Sequence, residues 1–253
     1  MNNSVLETTG NKVSTTTNDK VSVVRPIVRK IAKFVSFGAL TVVAILLIAH
    51  FAWKYSGSNQ WELEIDKDGV KVYSLKAPGS SLKQFKMVTR IKTTLNRAVA
   101  SLTDNDLENC TDWIKRCVSV QSVVPWNPQS QTLVTLFRVN YPSPFSPREI
   151  LSKGQFTQDP KSKEVFVEFT AAPDMLPKND CCFRIVHMHN RWRLTPLENG
   201  EIEVENSHNN DNGIPYILYN SRVPNALYFV GINLPRFFNK EKYHSASFDF
   251  IKS

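Results

Sequence analysis

The sequence predicts an α+β fold: a curved antiparallel β-sheet with a long C-terminal helix across its concave side, an arrangement that can close over a hydrophobic cavity, preceded by one transmembrane helix. Three observations predict it. Phe34 to Trp53 runs for 20 residues without a Lys, Arg, Asp or Glu. From residue 131 to 208, β-rich runs follow one another between Gly, Pro, Asn and Asp clusters. One apolar helical segment, NGIPYILYNSRVPNALYFVGINLPRFFNK, comes last.

Residues 1–33 read as a basic tail, rich in Asn, Thr and Ser and without helical period over 1–24, hence disordered. They hold six Lys/Arg against two acids; that is +4 of the net +8, and residues 34–253 share the other +4. The bulk of the chain is therefore only mildly basic, and no Lys/Arg run interleaved with aromatics points to nucleic acid. As a helix, 34–53 spans about 30 Å, the thickness of a bilayer's hydrocarbon core. Trp53 and Tyr55 stand where interfacial aromatics belong. A core helix this apolar is uncommon in so small a domain, and HFA-W or YSG-S makes a poor signal-peptide cleavage site. The expectation is a single-pass membrane anchor. Arg25, Arg29, Lys30 and Lys33 before it, against Lys54 alone after it, put the N-terminus in the cytoplasm. The rest then lies on the opposite side, the periplasm in a bacterium, beyond a 54–60 linker.

With 42% hydrophobic and 21% charged residues, the remainder is a folded globular domain, 61–253. GVKVYSL (69–75) and LKQFKMVTRI (82–91) read as strands. TLNRAVASLTD (94–104) carries Leu95, Ala98, Val99 and Leu102 at helical spacing, with Thr94 as N-cap. Residues 111–124 offer a second, shorter helix. Strands are expected over 131–140, 150–157, 164–172, 181–197 and 201–208, with SHNNDN (207–212) as a polar turn. In the last helix Pro215 takes the first position and Pro224 is expected to kink or break it. On one continuous helix Cys110 and Cys117 lie about 10 Å apart, beyond disulfide reach. Adjacent Cys181 and Cys182 on a strand point to opposite faces. A bridge between the two pairs stays open, with buried thiols as the simplest role. No GxSxG, HExxH, P-loop or GxGxxG motif and no zinc-type Cys/His spacing occurs, so no enzyme, cofactor or metal site is expected.

YPSPFSPRE (141–149) sets three prolines and a phenylalanine between two strands, then an Arg-Glu pair. Proline donates nothing to a sheet ladder, so pairing must break here. FRVNYPSPFSPREI resembles the aromatic-strand, Pro-x-Pro, Arg-Asp corner of the START (StAR-related lipid-transfer) family, in particular its phosphatidylcholine-transfer branch. DNGIPYILYN resembles that family's lead into its last helix, and WRLTPL and DGVKVY fit in the same order. The resemblance covers nearly all of Trp61 to Tyr243. It implies a helix-grip fold and a protein that holds or transfers one lipid or other hydrophobic molecule. It makes Tyr141, Pro142, Pro144, Phe145 and Pro147 a gate loop, with Arg148 anchoring it. Candidate ligand contacts are Phe137, Arg138, Asn140, Phe145, Arg148, His187, Tyr216, Tyr219, Leu227 and Val230. Alternation separates Phe137 from Arg138 and Asn140 but does not say which face is inward. Two departures matter. The phosphate-holding Tyr and Arg around the family's Asp-x-Asp are replaced by Leu102 and Glu108, and a carboxylate repels phosphate. The buried Arg of sterol carriers, six residues past the corner Arg, is Gly154. Two alternatives remain: a helix-grip cyclase or hydrolase using His187 or His189, and a tethered interaction module with a filled pocket.

Overall fold

A computed structural model describes residues 18–114 and 116–252, so the tail expected over 1–17 lies outside the described residues. The chain divides into two compact units, 1–53 and 54–253. In the first, α1 (Asn18–Tyr55) is a 38-residue helix. Its Val28–Tyr55 stretch, at mean hydropathy 2.4, is long and apolar enough to cross a membrane. The helix begins well inside the stretch expected to be an unstructured tail. Once nucleated by the apolar run, it propagates through the flanking residues at little cost for each.

The second unit is built on one ten-stranded sheet. Its strands are β1 (Trp61–Lys67), β2 (Val70–Leu75), β3 (Gln84–Lys92), β4 (Cys117–Asn127) and β5 (Thr132–Val139). There follow β6 (Arg148–Gln158), β7 (Val165–Ala171), the two-residue β8 (Phe183–Arg184), β9 (His187–Pro196) and β10 (Glu201–Asp211). The order across the sheet is β1-β2-β3-β10-β9-β7-β6-β5-β4, antiparallel throughout, with β8 pairing parallel to β6. Consecutive strands are mostly neighbours, and β10 returns to β3 after the α2–α3 segment and the β4–β9 meander, as a fold of antiparallel hairpins permits.

Period-two alternation sorts the two faces. On the inner face Val70, Val72, Phe85, Met87, Leu194 and Val204 pack as one buried cluster against the helices. Outward, Val134, Leu136 and Leu151 form a smaller cluster with Val123 and Leu176. The inner face meets α2 (Leu95–Thr103), α3 (Leu107–Trp113) and α4 (Tyr216–Phe238). Thr94 caps α2 by accepting from the Arg97 amide, and Asp106 caps α3 by accepting from Asn109 N at 2.6 Å.

Three expectations are corrected here. The helix expected over 111–124 stops at Trp113, and 117–127 is the edge strand β4; its alternating VSVQSVV is a period-two signal. Because the chain turns between them, Cys110 and Cys117 come to a Cα separation of 6.0 Å and form a disulfide. Cys181 and Cys182 bond to each other within a turn before β8, so no bridge joins the two pairs. Pro224 neither kinks the last helix to a stop nor ends it: α4 runs through Pro224 and Pro235 to Phe238, with Pro215 as its N-cap. Each interior proline leaves one earlier carbonyl without its helical donor, and packing of the apolar face carries the helix across.

The 54–60 segment is tied down rather than slack. The buried Lys76 donates its ammonium protons to the carbonyls of Lys54, Ser56 and Ala77 at 3.1–3.3 Å. Gly57, at φ +122°, lies where a Cβ would be 2.2 Å from the Lys76 carbonyl oxygen, so only glycine fits.

Candidate functional site

Between the inner sheet face and the helices lies a cavity of about 210 Å³. Its floor comes from β5, β6, β7, β9 and β10, and α2 and α3 form most of its roof; α4 adds only Val230. The apolar walls include Leu133, Phe137, Ile150, Phe169, Trp113 and Trp192. Among the described residues no lysine or arginine lines it. The lone carboxylate, Asp104, is engaged by the Tyr243 hydroxyl at 2.6 Å and by Lys242.

The roof is held by one amide. Asn109, 3% exposed, donates to the carbonyls of Ser101 and Asp104, both at 3.0 Å. Its oxygen accepts from Trp113 Nε1 at 3.2 Å and lies 3.2 Å from Tyr243 Oη, whose one proton goes to the nearer Asp104 carboxylate. Its two amide protons thus close the α2–α3 turn, and the Cys110–Cys117 disulfide ties α3 to β4 beside it. Trp113 then packs on Phe237 with ring centroids 4.7 Å apart and edge-on to Trp192 at 5.6 Å. Thr135 joins floor to roof by donating to Asn105 Oδ1 at 2.8 Å.

Register shows how the floor is laid. One row across the sheet reads Leu133, Gly154, Phe169, Asn190, His208, each facing the next on the neighbouring strand. A Cβ at Gly154 would lie 2.8 Å from Phe169 Cε1, so the glycine lets that ring lie flat against the floor. No larger side chain, least of all an arginine, fits at 154 with Phe169 in place. One row further along, Thr135 stands beside Ser152. His208 Nε2 lies 2.6 Å from Asn206 Oδ1 and Nδ1 faces Asn210 Nδ2 at 3.4 Å, a pairing that fits the neutral ring. Burial pushes its pKa down to about 4.

Of the residues expected to contact a ligand, Phe137 and Val230 line the cavity. Tyr219 and Leu227 are buried in the main core beneath α4, Tyr219 with its ring 5.9 Å from Phe85. Arg138 and Asn140 lie on the opposite face from Phe137, Arg138 bonding Glu149 at 2.9 Å and Asn140 exposed. His187 is exposed and pairs loosely with Asn209, and Tyr216 is half-buried away from the cavity walls. The inward polar residues Ser152, Asn190, Asn206 and His208 were not legible as a site. SHNNDN in particular reads as a turn, yet β10 continues through it to Asp211.

Residues 141–148 form a compact corner at the strand ends where Phe137 and Ile150 enter the cavity wall. The Phe145 amide turns back to the Pro142 carbonyl at 3.0 Å, and the Ser143–Pro144 peptide is cis. Pro142 and Pro144 are exposed, Pro147 half-buried. Arg148, 2% exposed, donates to the carbonyls of Asn212 at 2.8 Å, Gly213 at 3.1 Å and Ser146. Its guanidinium lies 4.5 Å over the Tyr141 ring and 5.0 Å over Phe183, with Phe145 at 5.8 Å. This cation, with the Tyr141–Asn212 side-chain hydrogen bond, links the corner to the segment that leads into α4. Glu149 points the other way, to Arg184 at 2.7 Å and to Arg138.

No protein-family model matches the chain. An uncharacterized protein of Pseudomonas aeruginosa is 26% identical over 171 residues, spanning 67% of this chain and 82% of that protein. A STAR-related lipid transfer protein of Xanthomonas axonopodis, solved as fragment 25–204, superposes with a TM-score of 0.64 at 22% identity, covering 71% of this chain and 99% of that one. The human StarD13 lipid transfer and protein localization domain gives 0.60 at 14% identity over 77% and 96% of the two chains. Human StAR-related lipid transfer protein 5 gives 0.57 at 13% over 83% and 99%. At these identities the likeness is one of architecture: residues 54–253 have the fold of the StAR-related lipid transfer domains.

Proposed function

We propose that the protein holds one hydrophobic molecule in the cavity between the sheet and α2–α3, and that Val28–Tyr55 anchors it in a membrane as a single span. The observation that carries the reading is a largely apolar chamber, with no lysine or arginine among the described residues that line it, on the inner face of a sheet with this fold. Burial of each CH₂ of a guest contributes about 0.8 kcal/mol, enough for a short chain to bind. The chamber, at about 210 Å³, suits a compact or single-chain guest better than a two-chain phospholipid. Leu102 faces it where the phosphatidylcholine-transfer branch places its phosphate-holding tyrosine, so a phosphocholine headgroup finds no partner there.

The 141–148 corner is the proposed gate. It caps the strand ends bearing Phe137 and Ile150, and the Arg148 bonds to the Asn212 and Gly213 carbonyls, with a side-chain hydrogen bond between Tyr141 and Asn212, fasten it. Releasing these bonds would free the corner and the start of α4 together. The basic residues preceding the apolar run favour a cytoplasmic N-terminus, with the domain across the membrane.

Native mass spectrometry of the full chain, extracted from host membranes in mild detergent, tests the reading. One bound hydrophobic molecule per chain, recovered by solvent extraction, is expected. A chain that is empty in every preparation overturns it.

A further inference from the structure

Three buried polar atoms of the cavity lining have no hydrogen-bond partner among the described residues: Ser101 Oγ on the α2 roof, and Ser152 Oγ and Asn190 Oδ1 on the floor. Ser152 is 3% exposed, in a part of the sheet where an alanine would pack as well. Leaving such a group unpaired is strongly unfavourable, whereas pairing it with a guest recovers the loss. The two floor residues stand on either side of Phe169: Ser152 on β6 beside Thr135, and Asn190 on β9 beside His208. β7 lies between them, so the strands that carry them are roughly 10 Å apart.

Most of the other polar lining residues are engaged within the protein. Thr135 is taken by Asn105, Asn109 by the α2–α3 turn, Asp104 by Tyr243 and Lys242, and Asn206 by His208. What remains for a guest is the Asn190 amide oxygen, which requires a donor, and the Ser101 and Ser152 hydroxyls, which take either role. Among the described residues no cation lines the cavity to neutralise an anionic headgroup, which would be buried there without a counter-charge.

We infer that the cavity selects uncharged lipids bearing a hydrogen-bond donor, a hydroxyl or an amide N–H, which Asn190 and Ser152 recognise. This rests on the cavity being a ligand chamber. It excludes phosphate headgroups for want of charge, and disfavours esters and plain hydrocarbons for want of a donor.

The test is equilibrium binding of radiolabelled dodecanamide and methyl dodecanoate to the full chain in nanodiscs, corrected with empty discs. The two probes share a chain length and differ in the donor. Dodecanamide should bind about tenfold more tightly. In Asn190→Leu and Ser152→Ala the difference between the two probes should fall to about twofold. If the unaltered protein binds both probes saturably and equally, the donor inference is overturned while the ligand chamber stands. If it binds neither saturably, the chamber reading fails and takes this inference with it. Both of these outcomes are measured on the unaltered protein and need no variant to fold.

Discussion

Glu149 holds its charge with no side-chain exposure at all, which an acid tolerates only when cations surround it. Arg184, 5% exposed, bonds it through two nitrogens at 2.7 and 3.1 Å, and Arg138 adds a third bond at 2.9 Å. Burial alone would push the Glu149 carboxyl up; the two guanidinia outweigh it and hold the pKa below its ordinary value. Arg184 also donates to the carbonyls of Pro173, Leu176 and Pro177, so this network fastens the 173–184 segment to the outer sheet face. Replacing Glu149 by Ala leaves the Arg184 charge buried and unpaired. Breaking a pair this deep destabilises by about 3–5 kcal/mol, far above the contribution of a surface ion pair. Urea denaturation should show that loss for Glu149→Ala. A drop below about 1 kcal/mol would mean the pair is solvated in solution.

Among the elements, α4 sits closest to the sheet at Gly231. A Cβ there would lie 2.5 and 3.0 Å from the two methyl carbons of Val70 and 3.4 Å from Met87 Cγ. Val70 is 1% exposed and stiff at χ1, so it has nowhere to move. Gly231→Ala gains up to about 1 kcal/mol in helix propensity. Overpacking costs about 1–3 kcal/mol. The clash is with a rigid, buried side chain, so the net effect should be destabilising, by about 1–2 kcal/mol in chemical denaturation; a more stable variant would contradict this docking. The same element scale shows what a sequence discloses. Strands with one buried face, such as β2 with its alternating exposure and burial, announce themselves by period. β1 does not, because it is an edge strand exposed along nearly its whole length, and WELEIDK carries no buried stripe. α3 ends where VSVQSVV begins, and a short apolar run fits both periods. In β9 the pattern separates His187 and His189 from Met188 and Asn190, but facing cannot be assigned without the sheet's partner layer. That is why the exposed histidines drew notice, and Asn190 and His208 did not.

The acid response of the 54–253 unit has two limbs that appear at different pH, one from His208 and one from paired carboxylates. His208 is held neutral: its pKa falls from 6.5 to about 4 through burial, and no charged partner contributes. Below pH 6.5 the unfolded chain takes up a proton on this ring that the folded chain refuses. Stability is therefore full above the unfolded value and declines as pH falls from 6.5 towards 4, by at most about 3 kcal/mol in all. Glu149 acts lower. Its pKa is depressed below 4.5, so its contribution is present above that value and fades as pH falls through the folded one. Asp106, held low by Lys242 despite its partial burial, and Glu64, held low by Lys83 and Ser74, add to this lower limb. The two limbs separate in a variant: His208→Gln, which keeps a neutral hydrogen-bonding side chain, should abolish the decline between pH 7 and 5 and retain the fall below 4.5. Urea midpoints measured at pH 7.5, 5 and 4 on the full chain in detergent, with and without the substitution, decide the matter. An unaltered protein equally stable at pH 7.5 and 5 would show that water reaches the His208 ring, and with it the polar end of the cavity.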